Sequence, residues 1–172
     1  MKRWPTHRLR LALLILALIL TGCGPQKAIV SVTDVPGKEV SILDSSKHLP
    51  YPATPHQLYN SLPPTSGPHV LQTVATGVYR EEIPEEIQVQ ALEYGHVLIQ
   101  YAPGMPAAEV RLLEGIGRRY PRDVVVAPYG KLTSGIALTA WGRIEQLDRV
   151  ESNQIVTFIT ALAGRYNHGW RR

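Results

Sequence analysis

Sulfur is scarce in this chain. One cysteine, Cys23, and two methionines occur in 172 residues. A lone thiol forms no internal disulfide and supplies no cysteine-ligated metal site, so neither covalent staples nor a thiolate zinc centre can hold the fold together. Packing has to do it. Long apolar runs are missing too: the most concentrated stretch, Leu11 to Leu20, is too short to span a bilayer comfortably.

A charge excess is absent outside the N-terminus. The formal net charge is +4, but Lys2, Arg3, Arg8 and Arg10 lie in the first ten residues, which contain no acid. Removing them leaves 14 basic and 14 acidic residues from Cys23 onward. A neutral domain with basic pairs only, such as Arg118-Arg119 and Arg171-Arg172, has no electrostatic footprint for a phosphate backbone, which disfavours nucleic acid as a partner.

What the N-terminus does contain is a basic segment followed by an apolar one, the layout of an export signal. The run ends in Leu20-Thr21-Gly22-Cys23, which resembles the lipobox of bacterial lipoproteins. The resemblance implies that residues 1–22 are a signal peptide and that Cys23 becomes the lipidated first residue of the mature chain. Its partner is then the membrane, reached through the N-terminal lipid on the extracytoplasmic side of a bacterial cell envelope. Each buried methylene contributes about 0.8 kcal/mol, and one acyl chain anchors only marginally, so the two or three chains of such a lipid hold essentially permanently.

The remainder is long enough for one domain with a single core. Residues 23–37 read as a lipidated tether, with a first strand over Ala28 to Thr33 suggested by its β-branched content, and residues 38–172 as a single globular domain. Between Val35 and Tyr79 prolines recur at 36, 50, 52, 55, 63, 64 and 68. Each removes an amide donor and fixes φ, which predicts a long wrapping segment in place of regular helix or central strand.

The second half is more regular. Ile87, Val89 and Ala91 alternate with Gln88 and Gln90, a period of two that predicts a half-buried strand, with Glu93-Tyr94-Gly95 as the turn after it. Val97, Ile99 and Tyr101 continue as a strand that Pro103-Gly104 closes. Pro106 opens an amphipathic helix with Val110, Leu113, Gly117 and Tyr120 on one face, and Pro121 stops it. Asp123 to Ala127 and Ile136 to Trp141 read as an antiparallel pair of strands. Asp148 and Glu151 form a variant of the capping box before a last helix carrying Ile155, Phe158, Ile159 and Leu162 inward. The expected class is α+β: a small mixed or antiparallel sheet, two amphipathic helices on one face, and the proline-rich segment across an edge or the open face.

HLPYP at 48–52, LYNSLPPTSGPH at 58–69, LEYGHVLIQY at 92–101, VAPYGKL at 126–132, IALTAWGR at 136–143 and the final helix together resemble the prokaryotic family catalogued as domain of unknown function 3105, over roughly residues 38 to 163. PPTSGPH is the distinctive string, since a mixture of prolines and polar residues has no generic packing origin. Members of that family look like exported or membrane-tethered domains with no activity assigned to them as a class.

Typical members read His-x-Leu-Glu-His-Gly where this chain has Gln90-Ala91-Leu92-Glu93-Tyr94-Gly95. Those histidines and the glutamate, joined by the histidine of PPTSGPH and one upstream, would suit zinc, copper or iron. On the resemblance, His48, His69 and Glu93 remain as ligands here. Gln90 and Tyr94 are not equivalent donors at neutral pH, although a tyrosinate can ligate ferric iron. His96 is a fourth candidate that would compensate if the turn brought its face round. The ordinary alternative for His96, as for His56 and His168, is a lone histidine bonded to a loop carbonyl or to water.

The prolines explain the loop physically. Pro63-Pro64 favours polyproline geometry, Gly67 permits a positive φ, and Pro68 fixes the approach to His69. Such a loop preorganises His69, with the Thr65 and Ser66 hydroxyls and Tyr94 nearby, against a ligand, or else against Glu93 and Trp141 as a rigid cover. Ser66 and His69 are not placed as nucleophile and base, since Gly-x-Ser-x-Gly and its strand-to-helix context are missing. The leading expectation is a non-catalytic, lipid-anchored binding domain for a protein or small ligand, with its face made by the PPTSGPH loop and the Glu93 turn. The alternative is a cell-envelope protein that binds copper or zinc. A metal-dependent enzyme would need an acid or base that no residue supplies by position.

Overall fold

The computed structural model describes residues 35–166. In chain order the elements are β1 (Lys38–Glu39), β2 (Gly77–Val78), α1 (Glu85–Glu93), β3 (Val97–Tyr101), α2 (Ala107–Arg119), β4 (Val124–Pro128), β5 (Ile136–Ala140), β6 (Arg143–Leu147) and α3 (Ser152–Leu162). The six strands form one mixed sheet in the order β1-β6-β5-β3-β4-β2. β3 runs parallel to β4 and antiparallel to β5, while β5 and β6 make an antiparallel hairpin across Trp141 and Gly142.

The pleat of β3 divides the core. Val97, Ile99 and Tyr101 join Leu113 and Ile116 of α2 and Ile155, Phe158, Ile159 and Leu162 of α3 on one face. Leu98 faces the other way, joining Val125, Ala127, Val70 and the α1 residues Ile87, Ala91 and Leu92. With each fully buried aliphatic side chain contributing about 1.5–3 kcal/mol, the two clusters supply the packing that the missing disulfides cannot. The α+β class holds, with α2 and α3 on one face as expected. A third helix, α1, and the proline-rich segment cover the opposite face.

Four local readings need correction. Residues 85–93 are a helix, not a strand. Pro84 precedes its first turn, where Glu85 and Glu86 favour the positive end of the helix dipole. Its glutamines are buried along with its apolar residues, because the sheet lies on one side and the proline-rich segment on the other. The apparent alternation therefore recorded no face. Gln88 is satisfied inside, donating to the Ile83 carbonyl at 2.6 Å and accepting from Gln100 at 3.0 Å.

β4 and β5 are not paired with each other, because β3 lies between them. The chain leaves β3, crosses over through α2 and returns parallel as β4, so β5 takes the remaining edge of β3. β6 was not foreseen, although its two-residue link to β5 is a hairpin signal. The Asp148/Glu151 capping box does not form: no side-chain bond caps α3, and Glu151 instead accepts from Arg149 Nε at 2.6 Å. The strand expected over Ala28 to Thr33, the signal peptide, Cys23 and His168 lie outside the described residues. Among those described, no helix is long and apolar enough to cross a membrane.

Candidate metal centre

The site begins with a backbone pairing that has no sequence periodicity. Leu49 and Val70 form an isolated parallel bridge, and the Leu49 amide donates to the His69 carbonyl at 2.8 Å. That bridge sets His48 beside His69, with their rings edge to face at 4.9 Å between centroids and 76° between planes. Glu93 arrives from the last turn of α1, which Tyr94 caps and Gly95, at φ +85, turns toward β3. A side chain at Gly95 would meet the Tyr166 carbonyl, which approaches too closely for any Cβ.

Donor atoms of His48, His69 and Glu93 lie within 4.8 Å of one another. His69 Nε2 and Glu93 Oε2 are 3.0 Å apart, with both side chains almost fully buried, while His48 is exposed. Ligands about 2 Å from a tetrahedral ion stand roughly 3.3 Å from each other, so the buried pair is already at ligand spacing. The exposed imidazole needs only a small swing to join it.

Hydrogen-bond accounting at His69 defines the chemistry. Its Nδ1 lies 2.8 Å from the Gly67 carbonyl, which can only accept, so Nδ1 carries a proton. Nε2 then faces the Glu93 carboxyl in a buried space. The two atoms are bridged either by one proton, carried by the ring or by the carboxyl, or by a metal ion bound by the Nε2 lone pair and Glu93 together. A ligating histidine characteristically donates its other N–H to a backbone carbonyl in this way, which fixes the tautomer and the ring.

The loop around His69 is built to hold it still. Tyr59 Oη donates to the Pro68 carbonyl at 2.6 Å, and burial pushes that phenol well above its usual range, so it stays a donor. Ser66 Oγ accepts from the Leu43 amide at 3.0 Å, and the Thr65 carbonyl accepts from the Gly142 amide at 3.0 Å. Thr65 and Ser66, expected to face a ligand, have no exposed surface at all. They tie the loop to Leu43 and Gly142 and face no solvent.

Tyr94 is half-buried as the cap of α1. The converging cluster does not include His96. Its amide bonds to the Ala91 carbonyl at 3.0 Å, and it lines a cavity of about 230 Å³ with Gly95, Trp141 and Tyr166. The bend at Gly95 that ends the helix sends His96 there. Trp141 stacks on Tyr166 at 4.6 Å and 10°. The Tyr166 phenol is raised above its ordinary range, first by burial and then by the charge of Glu93.

A cavity of about 660 Å³ lies at the opposite end of α1 from Glu93 and includes His56, Tyr59, Glu85, Glu86 and Lys131 in its wall. Its carboxylates are already engaged. Glu86 accepts from the Ala53 amide at 3.0 Å, and Glu85 pairs with Lys131 at 2.7 Å and accepts from Tyr129. His56 is occupied with the Gln57 carbonyl at 2.6 Å. The converging ligand-type side chains are therefore those at the Glu93 end of α1.

A family described as "Protein of unknown function (DUF3105)" matches residues 53–170, and the chain belongs to that family. No match was found among curated proteins or among solved structures.

Proposed function

We propose that this member of the DUF3105 family is a lipid-anchored, extracytoplasmic binding domain whose ligand is a divalent transition-metal ion, zinc or copper, held by His48, His69 and Glu93. The single observation that carries the reading is the convergence of two imidazoles and a carboxylate within 4.8 Å, with one imidazole already committed to a backbone carbonyl through its other nitrogen. Two nitrogen donors and one oxygen donor suit borderline divalent ions. The exposed His48 gives an ion a route in from solvent.

The same face was also expected to receive a protein or small organic ligand. Burial of the Thr65 and Ser66 hydroxyls removes the groups that would have contacted one, which favours the metal. The lipid anchor is supported by the Cys23 motif and by the basic-then-apolar N-terminus.

Calorimetric titration of the full chain in detergent with Zn²⁺ and Cu²⁺ tests the ligand. Wild type should bind one ion per chain, and His69→Ala should weaken binding at least about 100-fold, the upper end of what is lost when a residue that only supports a ligand is changed. Binding heat that survives His69→Ala rejects this ligand set.

A further inference from the structure

The buried surface of α1 holds a polar atom that the three-residue cluster does not explain. Gln90 is 2% exposed, and its Oε1 is buried without a hydrogen-bond partner among the described residues. Leaving an acceptor in this state costs stability. Gln88, two residues earlier and on a different face of the same short helix, has both its amide nitrogen and its amide oxygen bonded.

The position of Gln90 gives the orphan a meaning. Glu86, Gln90 and Glu93 follow the spacing i, i+4, i+7 and so share one face of α1. At its two ends this face meets the same strip of chain: the Glu86 carbonyl accepts from the Val70 amide at 3.4 Å, and Glu93 Oε2 lies against His69 Nε2 at 3.0 Å. Gln90 sits between them, one turn before Glu93, where β-carbons are about 5–6 Å apart.

Resting on the metal reading above, we infer that Gln90 Oε1 is a fourth donor to the same ion, completing a set of two imidazoles, one carboxylate and one amide oxygen. The set contains no soft ligand, so it selects a divalent ion over monovalent copper. With a single negative charge against two positive ones, the loaded centre keeps one net positive charge, and its outward side is the exposed His48. Metal binding thereby gives the unpaired amide oxygen a partner.

The test compares full-chain Gln90→Leu and Gln90→Glu with wild type in detergent. Leucine removes the donor at nearly constant volume. Without metal, its melting temperature should equal or exceed that of wild type, because an unsatisfied acceptor is gone; with saturating Zn²⁺, the metal-induced rise should shrink. Zinc affinity should fall by about 10-fold or more, at least the loss that follows removal of an outer partner of a metal site, and the visible spectrum of the Co²⁺-loaded form should change as the ion loses the amide oxygen. A Gln90→Leu variant with wild-type zinc affinity and an unchanged cobalt spectrum overturns the inference, even where His69→Ala abolishes binding and the three-ligand reading stands. Should the leucine variant fail to fold, Gln90→Glu decides: it keeps an oxygen in place and adds charge, so it must bind zinc at least as tightly as wild type. Weaker binding by that variant overturns the proposal. Wild type that binds no metal overturns both readings together.

Discussion

Gly67 does two things for the histidine two residues later. Its carbonyl takes the His69 Nδ1 proton, and its φ of +118 makes the bend that points the imidazole at Glu93. A β-carbon here would meet Leu43 Cβ and Cδ1 at 3.2 Å as well as forcing an L residue into a region reserved for glycine. Gly67→Ala should therefore cost about 1–3 kcal/mol in urea-monitored unfolding, with a weakened zinc titration alongside; an unchanged unfolding midpoint would contradict this account of the loop. The need for a glycine before Pro68 was legible in the sequence. The fates of Thr65 and Ser66 were not, because a hydroxyl in a stiff loop reads the same whether it faces solvent or, as here, the Leu43 amide and the interior.

At the level of elements, legibility followed burial. α2 and α3 were read correctly because each presents a pattern that one environment imposes, and β3, although buried on both faces, because Gly95 and Pro103-Gly104 bound its apolar residues. α1 was misread because it is covered on two sides, so buried glutamines at 88 and 90 imitated the polar half of an alternating strand. Pro84 with two acids after it was the better signal, and it pointed to a helix start. The partnership of strands failed for another reason: periodicity says which face of a strand is buried but not which neighbour it takes, and that choice was made by the α2 crossover. The Leu49–Val70 bridge, which brings His48 to His69, joins two short extended pieces with no periodicity to detect. His48, His69 and Glu93 could be named in advance only through the family resemblance and its PPTSGPH string.

Across the whole molecule, the sheet separates two duties. One face, with α2 and α3, is apolar packing; the other, with α1 and the proline-rich strap, carries the buried polar groups and the His48, His69 and Glu93 cluster. On the proposed lipid anchor, attachment would be a third duty, carried by Cys23. A Cys23→Ser chain should move from the membrane fraction to the soluble fraction and incorporate no radiolabelled lipid, and membrane association unaltered by the substitution would refute the anchor.

The central claim concerns what occupies the space between His69 and Glu93, and X-ray absorption at the zinc edge of the loaded full chain addresses it most directly. The account predicts a shell of two imidazole nitrogens and oxygen donors at about 2.0–2.2 Å with no sulfur. A shell containing sulfur, or fewer than two imidazoles, would contradict it.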